Sequence, residues 1–306
     1  MEHLTPHVRE VLSWYDGERP GVKANLARML MHGRLGGSGK LVILPVDQGF
    51  EHGPARSFAP NPAAYDPRYH FDLAIEAGLS AFAAPLGLLA AGADHYAGEI
   101  PLILKANNAN SLGTIKDEAI TATIRDALEL GCCAVGYTIY PGSERQYEMF
   151  EEIRAGAAEA KASGLAVVIW AYPRGGQLDA KAETALDVVA YGSHLAALLG
   201  AHIIKVKPPT SYIAQPEARA AYPEGAGYEQ LQQRIAHVVQ AAFNGRKLVI
   251  FSGGAARTDS DILAEVLAIH RGGGHGSIIG RNAFQRPRAQ ALKLLNRIID
   301  IHLGRD

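Results

Sequence analysis

The chain has 306 residues, of which 48% are hydrophobic and 20% charged, a composition that suits a folded protein with a sizeable core and excludes a disordered one. Lys and Arg total 30 against 31 Asp and Glu, so no overall field draws the chain to nucleic acid or a membrane surface, and an anionic ligand has to be held locally. Two cysteines, Cys132 and Cys133, are adjacent; that spacing suits neither a disulfide framework nor a zinc cluster and points to a reduced, cytoplasmic setting.

The N-terminal stretch MEHLTPHVREVLSWYDGE is mixed and charged, without an apolar leader core. No later run approaches the roughly 20 apolar residues of a membrane span, so the expectation is a protein neither exported nor embedded. Residues 1–40 read as an N-terminal helical extension of two short helices divided at Gly17-Glu18-Arg19-Pro20, with Pro20 placed for a helix start. They are expected to cover the bottom of a larger domain or an interface.

From residue 41 onward short β-rich runs recur at 41–46, 80–84, 101–104, 134–139, 165–171, 201–206, 247–251 and 276–279. Most are continuous apolar stretches, as in parallel strands buried on both faces. Helical patterns lie between them at 117–130, 143–163, 183–199, 227–243 and 258–270, and Gly78, Gly131, Gly164, Gly200 and Gly245 stand where helices end. Strict alternation of strand and helix implies a parallel α/β sheet, open or closed; eight strands favour a closed (β/α)₈ TIM barrel over residues 41–306. The stretch 48–70, QGFEHGPARSFAPNPAAYDPRYH, reads as a long, Pro-rich βα loop on the rim where chemistry belongs.

In either architecture reactive groups belong at the carboxyl ends of strands, which here read Asp47, Lys105, Tyr140, Trp170-Ala171-Tyr172, Lys205, Ser252-Gly253-Gly254 and Gly280-Arg281. Lys205 sits inside the apolar run HIIKVK, where alternation puts Ile203, Lys205 and Lys207 on one face. A lysine drawn out of water loses its proton or costs several kcal/mol, and the neutral amine attacks a ketone. The plainer alternative is a lysine whose head reaches out of the barrel mouth, and Lys207 is a competing nucleophile or a neighbouring cation that lowers the pKa of Lys205.

Trp170, Tyr172 and Arg174 share a parity in VVIWAYPRGG. A desolvated phenol is a competent proton shuttle, which makes Tyr172 the candidate general acid/base, set against a rim tyrosine that only hydrogen-bonds. Trp170 reads as a wall of the site, and Arg174 as a phosphate contact or a loop brace. Asp47 is a candidate for orienting hydroxyls and stabilising an iminium, or alternatively a helix cap or an ion-pair partner for a neighbouring lysine; nearby His52 reads as structural. No His or Cys pair offers the convergent ligands zinc requires. Ser252, Gly253 and Gly254 after the seventh run, and Gly280 and Arg281 after the eighth, stand where barrels often hold phosphate through backbone N–H groups and an arginine fork; tight turns are the plainer alternative.

These motifs together, LPVDQGFEHGP, IWAYPRGG, IIKVK, FSGGA and IIGRNAFQ in order over residues 40–290, resemble the archaeal-type class I fructose-1,6-bisphosphate aldolases, in the bacterial branch of that family. The resemblance implies that Lys205 is the Schiff-base lysine, Tyr172 the proton-transfer group and Asp47 a substrate-positioning carboxylate. Ser252, Gly253, Gly254, Gly280 and Arg281 would then hold a phosphate. It also implies an enzyme that needs no metal or cofactor, acts on a small sugar phosphate and forms a homo-oligomer. Lys207 duplicates the lysine of the motif. The rival readings are a Schiff-base lyase or transferase of the same family acting on another phosphorylated keto compound, a metal-dependent aldolase, and a non-catalytic sugar-phosphate-binding barrel.

Overall fold

Eight parallel strands close on themselves: β1 (Leu41–Pro45), β2 (Ala81–Pro85), β3 (Leu102–Lys105), β4 (Ala134–Ile139), β5 (Ala166–Ala171), β6 (Ile203–Val206), β7 (Leu248–Ser252) and β8 (Gly276–Ile278), each paired with its sequence neighbours and β8 with β1. The computed structural model describes residues 3–223, 225, 227–253 and 258–305. Closure is carried by the register Leu41 to Gly276 and Ile43 to Ile278. The expected barrel is therefore present, and its strands stand where the apolar runs placed them.

Alternation along each strand sorts the core into two sets. Ile43, Ala83, Ile103, Val168, Trp170, Ile203 and Ile250 form the barrel interior, while Val42, Leu44, Phe82, Val167, Ile169, Ile204 and Val249 pack outward. The outer layer includes the helices Gln146–Ala162, Leu186–Leu198, Leu231–Ala241, Asp259–Arg271 and Arg288–His302. Ile203 faces inward, so Lys205, two residues on, faces inward too. The indole of Trp170 occupies the space a β-carbon on Gly136 would need, which explains a glycine in the middle of β4.

The N-terminal segment forms α1 (Pro6–Ser13) and α2 (Pro20–Leu30), each opening on a proline at its first turn. Val8, Val11, Val22, Leu26 and Met29 join the same cluster as the inward-facing strand residues, so these helices close the lower end of the barrel. Tyr15 ties them to the strands: its hydroxyl donates to the carbonyl of His202 at 2.6 Å and accepts from the backbone N–H of Leu248 at 3.0 Å.

Two expectations change. The helix read over 117–130 is confined to Ile124–Glu129, because Thr123 and Asp126 form a reciprocal cap that fixes its start. Upstream, Ala119–Ile120 pairs antiparallel with Asn107–Asn108. The stretch 48–70 is not an unstructured loop: it holds the helical turns Gln48–His52, Pro54–Phe58 and Pro62–Tyr65 before the helix Pro67–Glu76. Three of its four prolines, which suggested a loop, stand at the start of the last three elements, Pro54, Pro62 and Pro67, where a missing N–H costs nothing.

Candidate active site

A cavity of about 370 Å³ opens at the carboxyl ends of the strands, within the size range of small-molecule sites. Lys205, Lys207, Tyr172, Arg174, Asp47, Ser252, Gly253, Gly280 and Arg281 all line it. Gly254 lies outside the described residues. Trp170 is a correction: at 1% exposure it belongs to the barrel interior and does not line the cavity, since its indole is spent filling the space over Gly136.

Trp170 still shapes the site from beneath. The strand register sets Trp170 beside Lys205, and the lysine Nζ lies 5.5 Å from the centre of the Trp170 ring and 5.2 Å from that of Tyr172. Lys205 is 4% exposed. Burial pushes its ammonium down to about 8; Arg174 and Arg281 act in the same direction, and Asp47 and Glu51 oppose them. Lys207 is not among those leading cations, so the lowering assigned to it from spacing belongs first to burial. Lys207 is itself lowered by burial and by Arg174, but its Nζ stands 3.3 Å from Glu183 Oε2.

Tyr172 is packed above Lys205 at the end of β5. Burial raises its phenol far above the ordinary range, and Asp47 and Glu51 raise it further; Arg174 and a hydrogen bond with Ser252 pull it back. The Arg174 guanidinium is wedged between two rings, with Cζ 5.3 Å from the centre of Tyr140 and 5.4 Å from that of Tyr172, and Nη1 lies 3.5 Å from Glu51 Oε1. A guanidinium held this way stabilises negative charge on either phenol.

The turn after β1 supplies the acidic side. Asp47 occupies the N-cap position of Gln48–His52 but its carboxylate makes no capping bond, so the cap alternative fails. Asp47 Oδ1, Gln48 Oε1 and His52 Nδ1 are buried with no hydrogen-bond partner among the described residues. Buried polar atoms of this kind are costly unless something binds them, and all three residues line the cavity.

Opposite, Gly253 follows β7 and Gly280 follows β8, the latter beside the end of β1. A β-carbon on Gly280 would stand 2.9 Å from the carbonyl oxygen of Pro45, so only glycine lets this backbone pass there. Asn282 Nδ2 donates to the carbonyl of Gly253 at 3.3 Å and links the two turns. Arg281 brings its guanidinium to this wall. Backbone amide groups beside an arginine are the chemistry that suits an anion.

Several lining residues were not singled out from sequence. Glu51 sits one helical turn after Asp47, and the i, i+4 spacing would have revealed it had the turn Gln48–His52 been read as helix. His52, read as structural, lines the cavity, as does Thr184. Glu118 is also missed, because it fell in a stretch taken for helix. Among the described residues no group of three or more His, Cys, Asp or Glu is arranged to hold a metal ion, and no helix is long and apolar enough to cross a membrane.

Known proteins resemble this chain over most of its length. Residues 41–286 match the model of the DeoC/LacD family aldolases. The chain is 38% identical over 295 residues to a probable class 1 fructose-bisphosphate aldolase of Chlamydia muridarum, covering 92% of this chain and 84% of that one. It is 35% identical over 268 residues to the class 1 fructose-bisphosphate aldolase of Thermoproteus tenax, covering 87% and 90%. A solved archaeal fructose-1,6-bisphosphate aldolase, its catalytic lysine covalently bound to the carbinolamine intermediate, superposes with a TM-score of 0.76 at 32% identity, over 92% of this chain and 99% of that one. The likeness runs along most of the chain in both sequence and fold, and the chain belongs to the DeoC/LacD family of aldolases.

Proposed function

We propose that this protein is a class I fructose-1,6-bisphosphate aldolase that works through a Schiff base on Lys205 and needs no metal. The observation that carries the reading is a buried lysine whose ammonium is lowered to about 8, set under Tyr172 in a cavity whose opposite wall carries Arg281 and two glycine turns.

The geometry supports the following course. Gly253, Gly280 and Arg281 hold one phosphate of the open-chain ketose, which brings C2 over Lys205; the cations Arg174 and Lys207 face the other end. The neutral amine adds to C2, the hydroxyl departs as water, and a protonated iminium results. Asp47 and Glu51 stabilise that cation. Tyr172 takes the C4 hydroxyl proton as the C3–C4 electron pair moves into the iminium. Glyceraldehyde 3-phosphate leaves and an enamine of dihydroxyacetone phosphate stays on the lysine. Protonation at C3 through Tyr172 and hydrolysis return the free amine, and every step is reversible.

The same reading takes the enzyme to be cytoplasmic and a homo-oligomer, as the motif resemblance implies; light scattering on the purified protein tests the second point. The deciding experiment is a coupled cleavage assay on fructose 1,6-bisphosphate in the presence of a chelator, with borohydride added to a parallel sample containing dihydroxyacetone phosphate. Cleavage that survives chelation, with a reduced adduct on the Lys205 peptide, supports the reading. Adduct on another peptide overturns it. Preferred turnover of a different phosphorylated ketose would change the substrate and leave the covalent chemistry in place.

A further inference from the structure

The loop after β3 brings a second set of ionisable groups to the barrel mouth. Lys105, the last residue of β3, is 3% exposed. Its Nζ donates to the backbone carbonyl of Asn107 and, at 3.0 Å, to the Asn107 side-chain oxygen, and lies 3.5 Å from Glu118 Oε2. Glu118 is 7% exposed and its Oε1 accepts from the Tyr140 hydroxyl at 2.5 Å. Oε2 is buried and makes no hydrogen bond among the described residues. The pairing of Asn107–Asn108 with Ala119–Ile120 fixes Glu118 at this point.

Between this group and the reaction cavity lies a smaller one of about 20 Å³, room for a single water, which needs roughly 10–15 Å³ and two to four polar partners. Glu118, Lys105 and Tyr140 line one side, and Asp47, Glu51 and Tyr172 the other. The reaction supplies a reason for such a link. Tyr172 must accept a proton from the C4 hydroxyl, yet burial beside Asp47 and Glu51 makes its phenolate costly. An acceptor that takes the phenol's own proton as the substrate's arrives removes the need for a free phenolate.

We propose that Glu118 is the proton store of the aldol step, connected to Tyr172 through one water in the small cavity. The inference rests on Tyr172 being the acid/base. As the C3–C4 bond breaks, the C4 hydroxyl proton passes to Tyr172 Oη, the phenol's original proton passes to the water, and a water proton passes to Glu118 Oε2. The C3–C4 electron pair becomes the enamine double bond, and C4 becomes the aldehyde carbon. On the return, Glu118 gives a proton back through the water and Tyr172 to C3, so no net proton is gained or lost.

The charges around Glu118 fit this duty. Lys105 faces it from β3, Tyr140 from the end of β4, and Asp47 and Glu51 from the turn after β1, with Asp117 beside it on its own loop. Burial raises the carboxyl above its usual range, Lys105 and the Tyr140 hydroxyl pull it back, and Asp47 and Glu51 raise it again. The group is thus more basic than a surface carboxylate, while Lys105 and the Tyr140 hydroxyl favour its charged form.

The test uses the full-length protein and Glu118→Gln, which keeps size and hydrogen bonding but cannot hold the proton. Borohydride trapping with dihydroxyacetone phosphate should match wild type, while deuterium exchange at C3 and kcat for cleavage fall about 10²-fold or more, as for other lost proton-transfer groups. The acid limb of the kcat–pH profile should vanish with them. Exchange and acid limb unchanged while Lys205 still traps would overturn the inference alone; loss of Lys205 labelling in wild type overturns the aldolase reading instead. Because a variant can misfold, the wild-type rate is also read in mixtures of light and heavy water. A bowed dependence supports several protons in flight through Tyr172, water and Glu118, and a straight line counts against the store.

Discussion

Lys207 holds its ammonium 3.3 Å from Glu183 Oε2, while Lys205, two residues earlier on the same face of β6, lies against the rings of Trp170 and Tyr172. A carboxylate favours the charged form of an amine; apolar burial disfavours it. The two lysines of one motif are therefore assigned different work by their neighbours. Lys205→Ala should abolish the borohydride-trapped adduct, read as a mass increase on the peptide. Lys207→Ala should keep the adduct and raise KM.

Tyr172→Phe keeps the ring that lies over Lys205 and removes only the hydroxyl. The expected result is a kcat lower by about 10²- to 10⁴-fold, the usual range for a lost proton-transfer group, with trapping of dihydroxyacetone phosphate intact. Trapping lost together with turnover would instead assign the phenol to Schiff-base formation.

Arg281 meets the cavity from the wall built by Gly253 and Gly280. A hydrogen bond to a charged group contributes about 1.5–3 kcal/mol, so Arg281→Ala should lower kcat/KM about 10- to 100-fold for a substrate phosphorylated at C1. The unphosphorylated ketose should show little difference between variant and wild type. Equal losses on both substrates would detach Arg281 from phosphate.

How far the sequence reveals this site follows from which forces act locally. Strands and their inward faces were legible because alternation and apolar continuity are properties of a few consecutive residues, and Lys205, Tyr172 and Arg281 fall where strand ends must. Trp170 was misplaced because its neighbour across the sheet, Gly136, is remote in sequence; only the fold shows that the indole is consumed in filling the barrel. Glu118 was lost for a similar reason. Its stretch carries helical spacing, but the cap at Thr123 and the pairing with Asn107–Asn108 override it. Glu51 was within reach, since Asp47 and Glu51 are one turn apart once Gln48–His52 is read as helix rather than loop.

The lower end of the barrel offers a test of architecture apart from chemistry. Tyr15 satisfies a buried carbonyl of β6's approach and a buried N–H at the start of β7. Tyr15→Phe removes both of these bonds and leaves only the backbone bond from the Leu248 N–H to the His202 carbonyl at 3.2 Å, a loss of about 0.5–1.5 kcal/mol for each hydrogen bond removed. Urea unfolding should show that loss, while borohydride labelling of Lys205 in the folded variant stays at the wild-type level. A variant as stable as wild type would mean that water replaces the hydroxyl at this position.

The lysine that makes the site reactive should also weaken the fold, with a pH dependence fixed in sign. Lys205 titrates at about 8 in the folded protein, against roughly 10.4 for an unfolded lysine. Between those values the unfolded chain binds a proton that the folded one lacks, so stability rises with pH across that window and the penalty is complete below it. Lys205→Met removes the group that is penalised. The variant should be more stable than wild type at pH 7, and the advantage should shrink as pH passes from 8 to above 10, measured by urea unfolding at several pH values. A difference that stays constant over that range would mean that the stability change comes from packing of the methionine and not from the buried ammonium.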